Sequence, residues 1–441
     1  FWKYTPKTKE WTWLNGFNST ANTDQIGVYG DINEASSPHP GSRHGGLTWT
    51  DIEGDFWMLG GAEIGNDAYG FYNDLWKYEP QKEKWQYLLG DTKLSLNDGV
   101  YGSKGIGSDT NDPKSRWHGS SWTGQDGKLW FFGGINHNKA IEDIAWLNDL
   151  WYFDPESKVY TWVGGSSTIN TSGVYGVKGE ASSGHIPGAR SSSAYWSDED
   201  GNFWLFGGYE SFEYNNDLWR FNPSTLEWTW VSGDNFQNAP GIYGQKSVTD
   251  PTNSIGARRY TDGKIDQDGN VWVFGGDGHD QQAQRGFLGD LWKYEPSSNS
   301  WTWMAGSESR NTYGNFGVQG VPSPDNAPPP RYGHSSWIDD SGNLWILGGY
   351  GILDDGAGNR LTGDLNDLWK YDVTTNLWTW VDGSDEIGNL GVYEAQDEFS
   401  INNMIPSKAR AQAFGTVDKS LWVFGGRQGT SASHNDFWQI K

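Results

Sequence analysis

The sequence predicts an all-β fold, a six-bladed β-propeller with four antiparallel strands per blade, and three observations carry that expectation. A double glycine ends an apolar run six times, at Gly60-Gly61, Gly133-Gly134, Gly207-Gly208, Gly275-Gly276, Gly348-Gly349 and Gly425-Gly426, with the first glycines 73, 74, 68, 73 and 77 residues apart. Beyond each pair and a variable loop comes Asp-Leu-Trp, opening at Asp74, Asp149, Asp217, Asp290 and Asp367, with Asp436-Phe437-Trp438 last. An aromatic-x-aromatic segment follows the next turn, as in Trp85/Tyr87, Tyr160/Trp162, Trp228/Trp230, Trp301/Trp303 and Trp378/Trp380. Self-similarity at a fixed period marks one supersecondary unit that cannot bury its own apolar faces and stacks on its copies.

Each strand has its own reason. Phe56-Trp57-Met58-Leu59 and its counterparts are apolar at every position, as expected of a strand buried on both faces. The strand before it covers 44–51, 117–124, 191–198 and 332–339. Asp-Leu-Trp opens the third strand, and aromatics alternating with period two make the fourth. The 29 tryptophans supply the wedges between blades. A large aromatic buries roughly 150–250 Å² at about 25 cal/mol per Å², so a few per blade contribute on the order of 10 kcal/mol per interface before entropy.

Residues 1–441 are expected to form a single propeller domain. The last repeat has only three strands, and Trp11–Trp13 reads as a fourth strand without a blade, so the N-terminal strand is expected to close the ring inside the C-terminal blade and remove a free edge. Phe1-Trp2-Lys3-Tyr4 is then a surplus, seventh copy of the third-strand motif. It either packs on the rim as a remnant or pairs with another subunit by β-addition, giving head-to-tail self-assembly.

The strand-ending Gly-Gly, the aromatic strand and the Trp strand resemble kelch repeats, as found in the central domain of galactose oxidase. A kelch unit is nearer 50 residues, and the surplus here lies in one long inter-blade loop per unit: 15–42, 90–115, 164–189, 232–257, 305–330 and 382–409. These loops and those between second and third strands should leave the same face of the ring, which is where binding is expected.

The inter-blade loops repeat a Gly-x-aromatic core around Tyr29, Tyr101, Tyr175, Tyr243, Phe316 and Tyr393. It serves either to plug the loop onto the blade or to offer a platform to sugar rings. Each loop ends on an arginine, Arg43, Arg116, Arg190, Arg258, Arg331 or Arg410. A five-donor fork there can clamp loop carbonyls and the third-strand Asp, or circle the channel mouth and bind a carboxylate. The resemblance implies the second use, since some kelch proteins hold acidic ligands with arginines near this position. The loops between second and third strands vary most; they carry His137 in one repeat and His279 with Arg285 in another, and these three are candidate ligand contacts.

Composition narrows the chemistry. With 32 Lys+Arg against 56 Asp+Glu, a net charge of -24 argues against nucleic acid as a partner. Zero cysteines exclude disulfides, thiolate chemistry and the crosslinked tyrosine of a copper-radical site. The eight histidines show no zinc spacing, and the Asp-rich turns at 198–202, 266–270 and 339–343 lack the bidentate Glu of a calcium loop. No catalytic residue, metal or cofactor is assigned. A first residue other than Met suggests an N-terminal segment was removed, and no run of about 18 apolar residues spans a bilayer.

The expectation is an exported, non-catalytic propeller at a bacterial surface, binding a glycan or protein through its long-loop face. The alternative is a sugar-modifying enzyme, sialic-acid epimerase-like or glycoside-active. A mouth cluster of arginine with carboxylates, or with His137 or His279, that breaks the repeat favours the enzyme. A uniform mouth favours binding or structure.

Overall fold

The computed structural model describes residues 2–5, 10–13, 27–29, 38–41, 43–64, 69–93, 98–138, 143–392, 399–400, 404–415, 421–424, 427–428, 432–433 and 437–440. They form a β-propeller, with no helix among them. Five blades are built whole from consecutive chain, against the six predicted. Blade 1 comprises Leu47–Thr50, Phe56–Ile64, Tyr69–Glu79 and Lys84–Leu89, and blade 2 comprises Ser120–Thr123, Leu129–Asn138, Asp143–Asp154 and Val159–Gly164. Blade 3 runs Ala194–Ser197, Phe203–Glu210, Glu213–Asn222 and Glu227–Ser232. Blade 4 runs Asp262–Ile265, Val271–His279, Arg285–Glu295 and Ser300–Ala305; blade 5 runs Ser335–Ile338, Leu344–Asp354, Arg360–Asp372 and Leu377–Asp382. Every blade is an antiparallel meander with its first strand innermost.

The remaining repeat keeps the expected union of the two chain ends in one sheet but not the expected pairing. One sheet draws on both ends of the chain, in the order Phe399–Ser400, Glu10–Trp13, Trp2–Thr5, Phe437–Ile440, Leu421–Phe424, Gln412–Gly415. Glu10–Trp13 therefore does not sit beside the last strand. It pairs with Trp2–Thr5, Trp2 opposite Trp13 and Tyr4 opposite Trp11, the register that Trp76/Tyr87 and Tyr78/Trp85 keep in blade 1. The surplus third-strand copy has taken the fourth-strand partner, and it meets Phe437–Ile440 in parallel at Tyr4 and Ile440. Phe1, Gly425, Gly426 and Asp436 lie outside the described residues. The innermost strands follow one another around the axis from Leu47–Thr50 to Ser335–Ile338, then Gln412–Gly415, which lies beside Leu47–Thr50.

A buried clamp explains the repeat. Arg190 donates two parallel bonds to Asp217, at 2.6 and 2.8 Å, and further bonds to the carbonyls of Gly207 and Gly188. The same carboxylate accepts from the Trp219 indole and the Tyr175 hydroxyl, each at 2.7 Å. Blades 1, 2 and 4 repeat the set with Arg43/Asp74/Trp76/Tyr29, Arg116/Asp149/Trp151/Tyr101 and Arg258/Asp290/Trp292/Tyr243. In blade 5, Arg331, Asp367 and Trp369 remain, but Phe316 has no hydroxyl to offer. All five arginines are at most 1% exposed. Bidentate geometry with further donors on the same carboxylate is what allows such a pair to be buried.

The double glycine is the joint between blades. Gly60 and Gly61 have φ of 67° and 104°, left-handed values open to glycine, and a Cβ on Gly60 would meet the Arg116 carbonyl at 2.6 Å. Its absence lets the Gly61 amide donate to the Arg116 carbonyl of the next blade, 2.9 Å, and Gly134 does the same to Arg190. Each fork thus holds its own blade together, while its carbonyl receives the neighbour.

The inter-blade loops serve as edge covers. The amides of Gly105, Gly179, Ser247 and Gly320 donate to the carbonyls of Trp162, Trp230, Trp303 and Trp380 on the outermost strands, pairing groups that an edge strand would leave open. The plug aromatic of each loop sits under the same tryptophan, Tyr101 at 5.0 Å from Trp162 and Phe316 at 5.0 Å from Trp380. Of the two uses expected for these aromatics, the described ones adopt the plug; Tyr393 lies outside the described residues.

Asp217→Ala, which strands a buried guanidinium, should cost about 3–5 kcal/mol in denaturant unfolding. Phe316→Tyr should instead gain about 1 kcal/mol by giving Asp367 its missing donor. Burial alone would raise the carboxyls of Asp149 and Asp290, but Arg116 and Arg258 hold both below the usual range. Their contribution is therefore complete above the unfolded carboxyl pKa near 3.9 and drains as pH falls through the lower folded values. Unfolding free energy measured from pH 5 to pH 2 should decline steeply, and Asp149→Asn should flatten the slope.

Candidate functional site

The chain turns into the channel two residues after each clamp. Gly45, His118, Ser192, Tyr260, Gly333 and Arg410 occupy that place, all with φ between 54° and 65°. Their backbones are linked around the axis: His118 N–H to Gly45 C=O, Ser192 to His118, Tyr260 to Ser192, Gly333 to Tyr260 and Arg410 to Gly333, at 2.7 to 2.9 Å. Large side chains alternate with small ones. His118 reaches over Gly45, where a Cβ would meet its ring at 2.6 Å. It meets Tyr260 edge-on at 5.0 Å, and the Arg410 guanidinium lies 4.4 Å from the Tyr260 ring centre. Together the three plug the channel.

Below the plug is a lumen of about 160 Å³ lined by Thr48, Ser193, Tyr195, Asp262, Lys264 and His334, among others. Neither ring nitrogen of His334 has a hydrogen-bond partner among the described residues. Burial is the main cause that lowers its pKa to about 4.

Above the plug the mouth differs from blade to blade. The residue after each clamp arginine pairs with the one after each double glycine: His44 with Ala62, Trp117 with Ile135, Ser191 with Tyr209, Arg259 with Asp277 and Tyr332 with Tyr350. Blades 1 and 2 present an aromatic quarter, with Phe71 stacked 5.7 Å from Trp117 and 6.4 Å from His137. Blade 4 presents charge, and blade 3 sets Tyr209 and Tyr214 beside it. Asp277 accepts from Arg259 at 3.0 Å, Arg285 at 3.2 Å and the Tyr214 hydroxyl at 2.8 Å. The Arg259 guanidinium lies 3.9 Å over Tyr209 and 4.9 Å over Tyr260, while Arg285 lies 5.2 Å over Tyr214 with its side chain 58% exposed. Tyr332, Tyr350 and Phe287 continue the aromatic wall. His279, buried against Tyr214 at 5.3 Å, has its pKa lowered, chiefly by burial.

The predicted residues divide accordingly. Arg43, Arg116, Arg190, Arg258 and Arg331 do not circle the mouth as open forks: their donors are spent inside the blades. Arg410 belongs to a different place in the repeat. Lys408 takes the clamp position, its carbonyl accepting from the Gly349 amide at 2.9 Å, so Arg410 falls two residues later, on the channel. His279 and Arg285 come together around Asp277, whereas His137 stands on the opposite quarter. Sequence reasoning missed Arg259, Asp277, Tyr209, Tyr214 and Tyr260. For Arg259 and Tyr260 the signal was the variation just after each clamp, where His44-Gly45, Trp117-His118, Ser191-Ser192, Arg259-Tyr260 and Tyr332-Gly333 differ from repeat to repeat.

Chemically, Asp277 is a carboxylate already shared by three donors, so it orients the two guanidiniums more than it offers a base. Two cations backed by aromatic faces suit an anion carried on a ring. The fold defines the class, a β-propeller, and this mouth is the candidate site at one end of its channel. The solved structure of YjhT has the same fold, with a TM-score of 0.54 and 14% identity over 91% of this chain and 95% of that one. No family model and no curated protein matches the chain.

His334 gives a test of the lumen. An unfolded chain protonates its histidines near pH 6.5, so the neutral ring's contribution is whole above that pH and drains as pH falls toward 4. Imidazole NMR from pH 8 to 5 should show a ring signal that fails to titrate and that is missing from His334→Gln. A wild type in which every imidazole titrates near pH 6.5 contradicts this burial.

Proposed function

We propose that the chain is a single, exported kelch-type propeller at a bacterial surface, and that it binds a carboxylate-bearing sugar at the channel mouth over blades 3 to 5. The terminal sheet, placed between blade 5 and blade 1, acts as the sixth blade in this reading. The observation that carries the ligand assignment is the pair Arg259 and Arg285. Both converge on Asp277 above Tyr209 and Tyr214, two guanidiniums on one carboxylate in a chain of net charge -24. Local positive charge inside an acidic protein attracts an anion, and the aromatic faces suit the apolar side of a sugar ring. Among the described residues no helix is long and apolar enough to cross a membrane.

One observation favours the sugar-modifying reading. The mouth breaks the repeat, and it groups arginines with Asp277 and His279 where the enzyme alternative requires such a cluster. The saturated carboxylate and the buried imidazole weigh toward binding without turnover.

Glycan-array binding separates the possibilities. Acidic glycans should bind and neutral ones should not, and Arg285→Ala, on an exposed side chain, should weaken binding at least roughly tenfold, the loss of one charged hydrogen bond. Equal binding of neutral glycans, or an unaffected Arg285→Ala, overturns the assignment. Conversion of a bound acidic sugar followed by proton NMR would select the enzyme.

A further inference from the structure

Blade 3 joins its second and third strands by the tightest turn of the five whole blades, Glu210 pairing directly with Glu213 across Ser211 and Phe212. Both central residues are left-handed, φ 49° and 71°. A two-residue hairpin of this kind favours Asn-Gly or Gly-Gly, because each central residue takes a positive φ, and a bulky aromatic there is held against its own preference. Phe212 is nevertheless 68% exposed. An isolated exposed phenylalanine would need no account, but this one continues the wall of the mouth. Its ring meets Trp146 of blade 2 edge-on at 5.6 Å and Tyr209 at 6.2 Å. Tyr209 in turn lies 5.2 Å from Tyr214 and carries the Arg259 guanidinium 3.9 Å over its ring. An aromatic row therefore runs from the exposed Arg285 on blade 4, by way of Tyr214 and Tyr209, to the exposed Phe212 on the side of blade 2.

The hairpin that carries Phe212 is braced. The Asn238 amide donates to the Tyr214 carbonyl at 2.7 Å, the Tyr214 amide donates to the Asn238 side-chain oxygen at 3.0 Å, and the Asn238 side-chain amide reaches Glu213. Charge divides the row: two guanidiniums gather at its blade 4 end, whereas Glu210 and Glu213 flank the turn at the other.

We propose, resting on the anion-binding reading of the mouth, that Phe212 is a stacking platform for a second, uncharged sugar ring, so that the mouth takes an acidic disaccharide or a longer chain. The carboxylate of the acidic sugar lies at Arg259 and Arg285, and the adjoining pyranose lies face down on Phe212. The apolar face of a pyranose packs on an aromatic ring while its rim hydroxyls stay in water, and the carboxylates beside the turn oppose a second anion there. A ring fixed by its turn gives up little freedom when a ligand lands on it. The strained backbone then has a use, since glycine would relax the turn but remove the platform.

Calorimetry with glucuronate and with a set of glucuronosyl-glucose disaccharides of differing linkage tests the platform. In wild type at least one disaccharide should bind at least roughly fivefold more tightly than glucuronate, the worth of one added aromatic contact. Phe212→Gly should abolish that gain, bringing the disaccharide down to the affinity of glucuronate, while its thermal midpoint stays at or above that of wild type because the turn relaxes. Phe212→Tyr, which restores a ring, should keep the gain. Disaccharides no tighter than glucuronate, or a gain that survives Phe212→Gly, overturn the platform while leaving the anion site standing. Glucuronate binding that is absent, or indifferent to Arg285→Ala, removes the mouth reading and the platform with it.

Discussion

The buried guanidinium fork is the constraint from which the rest of the propeller follows. One arginine joins the end of the inter-blade loop, the bulge of the second strand and the Asp that opens the third, and its carbonyl is the landing point for the neighbouring blade's glycine amide. A charge taken fully out of water is tolerable only when it is paired and well hydrogen-bonded, so the geometry around it has little freedom. That rigidity accounts for the regularity of five blades whose cores are filled by differing mixtures of Trp, Phe, Leu, Ile, Val and Met. It also places the adjoining residues of each blade at the same depth in the channel, whatever their identity.

The proposed function draws on that last property. The position after the fork carries His, Trp, Ser, Arg or Tyr, paired across to Ala, Ile, Tyr, Asp or Tyr, and these substitutions leave the clamp untouched. The ring behaves as a frame with interchangeable tiles, and the charged tile of blade 4 sits beside aromatic residues of blades 3 and 5. Specificity can then vary without strain on the fold, as expected when sites are grafted on a scaffold.

Much of the architecture was legible in the sequence because it is made of backbone requirements. Glycines needed for close approach, a carboxylate two residues before an indole and a period-two aromatic strand all leave marks at fixed spacing. Four things were not legible. The long loops looked like a binding face because they are long, yet Tyr101 and Phe316 show that they tie down blade edges. Arg410 was aligned with the clamps because it is the loop's arginine, whereas the Lys408 carbonyl, not its side chain, marks the true equivalent. The site itself is built of residues that are adjacent only across strands, and pairings such as Arg259 with Asp277 depend on a register that composition does not reveal. The terminal sheet misled for a related reason: Trp2–Thr5 and Phe437–Ile440 carry the same pattern, and pattern alone does not say which copy wins a shared partner.

The linked amides around the axis have an electrostatic consequence. In five links the N–H of one repeat meets the C=O of the repeat before it, so these groups spend their partial charges on one another around the circumference. Unlike a helix terminus, which projects a net partial charge, this collar gives an ion approaching along the bore little net pull from the backbone. The potential there is left to the few side chains that differ between repeats, so a single substitution can reverse which ions approach.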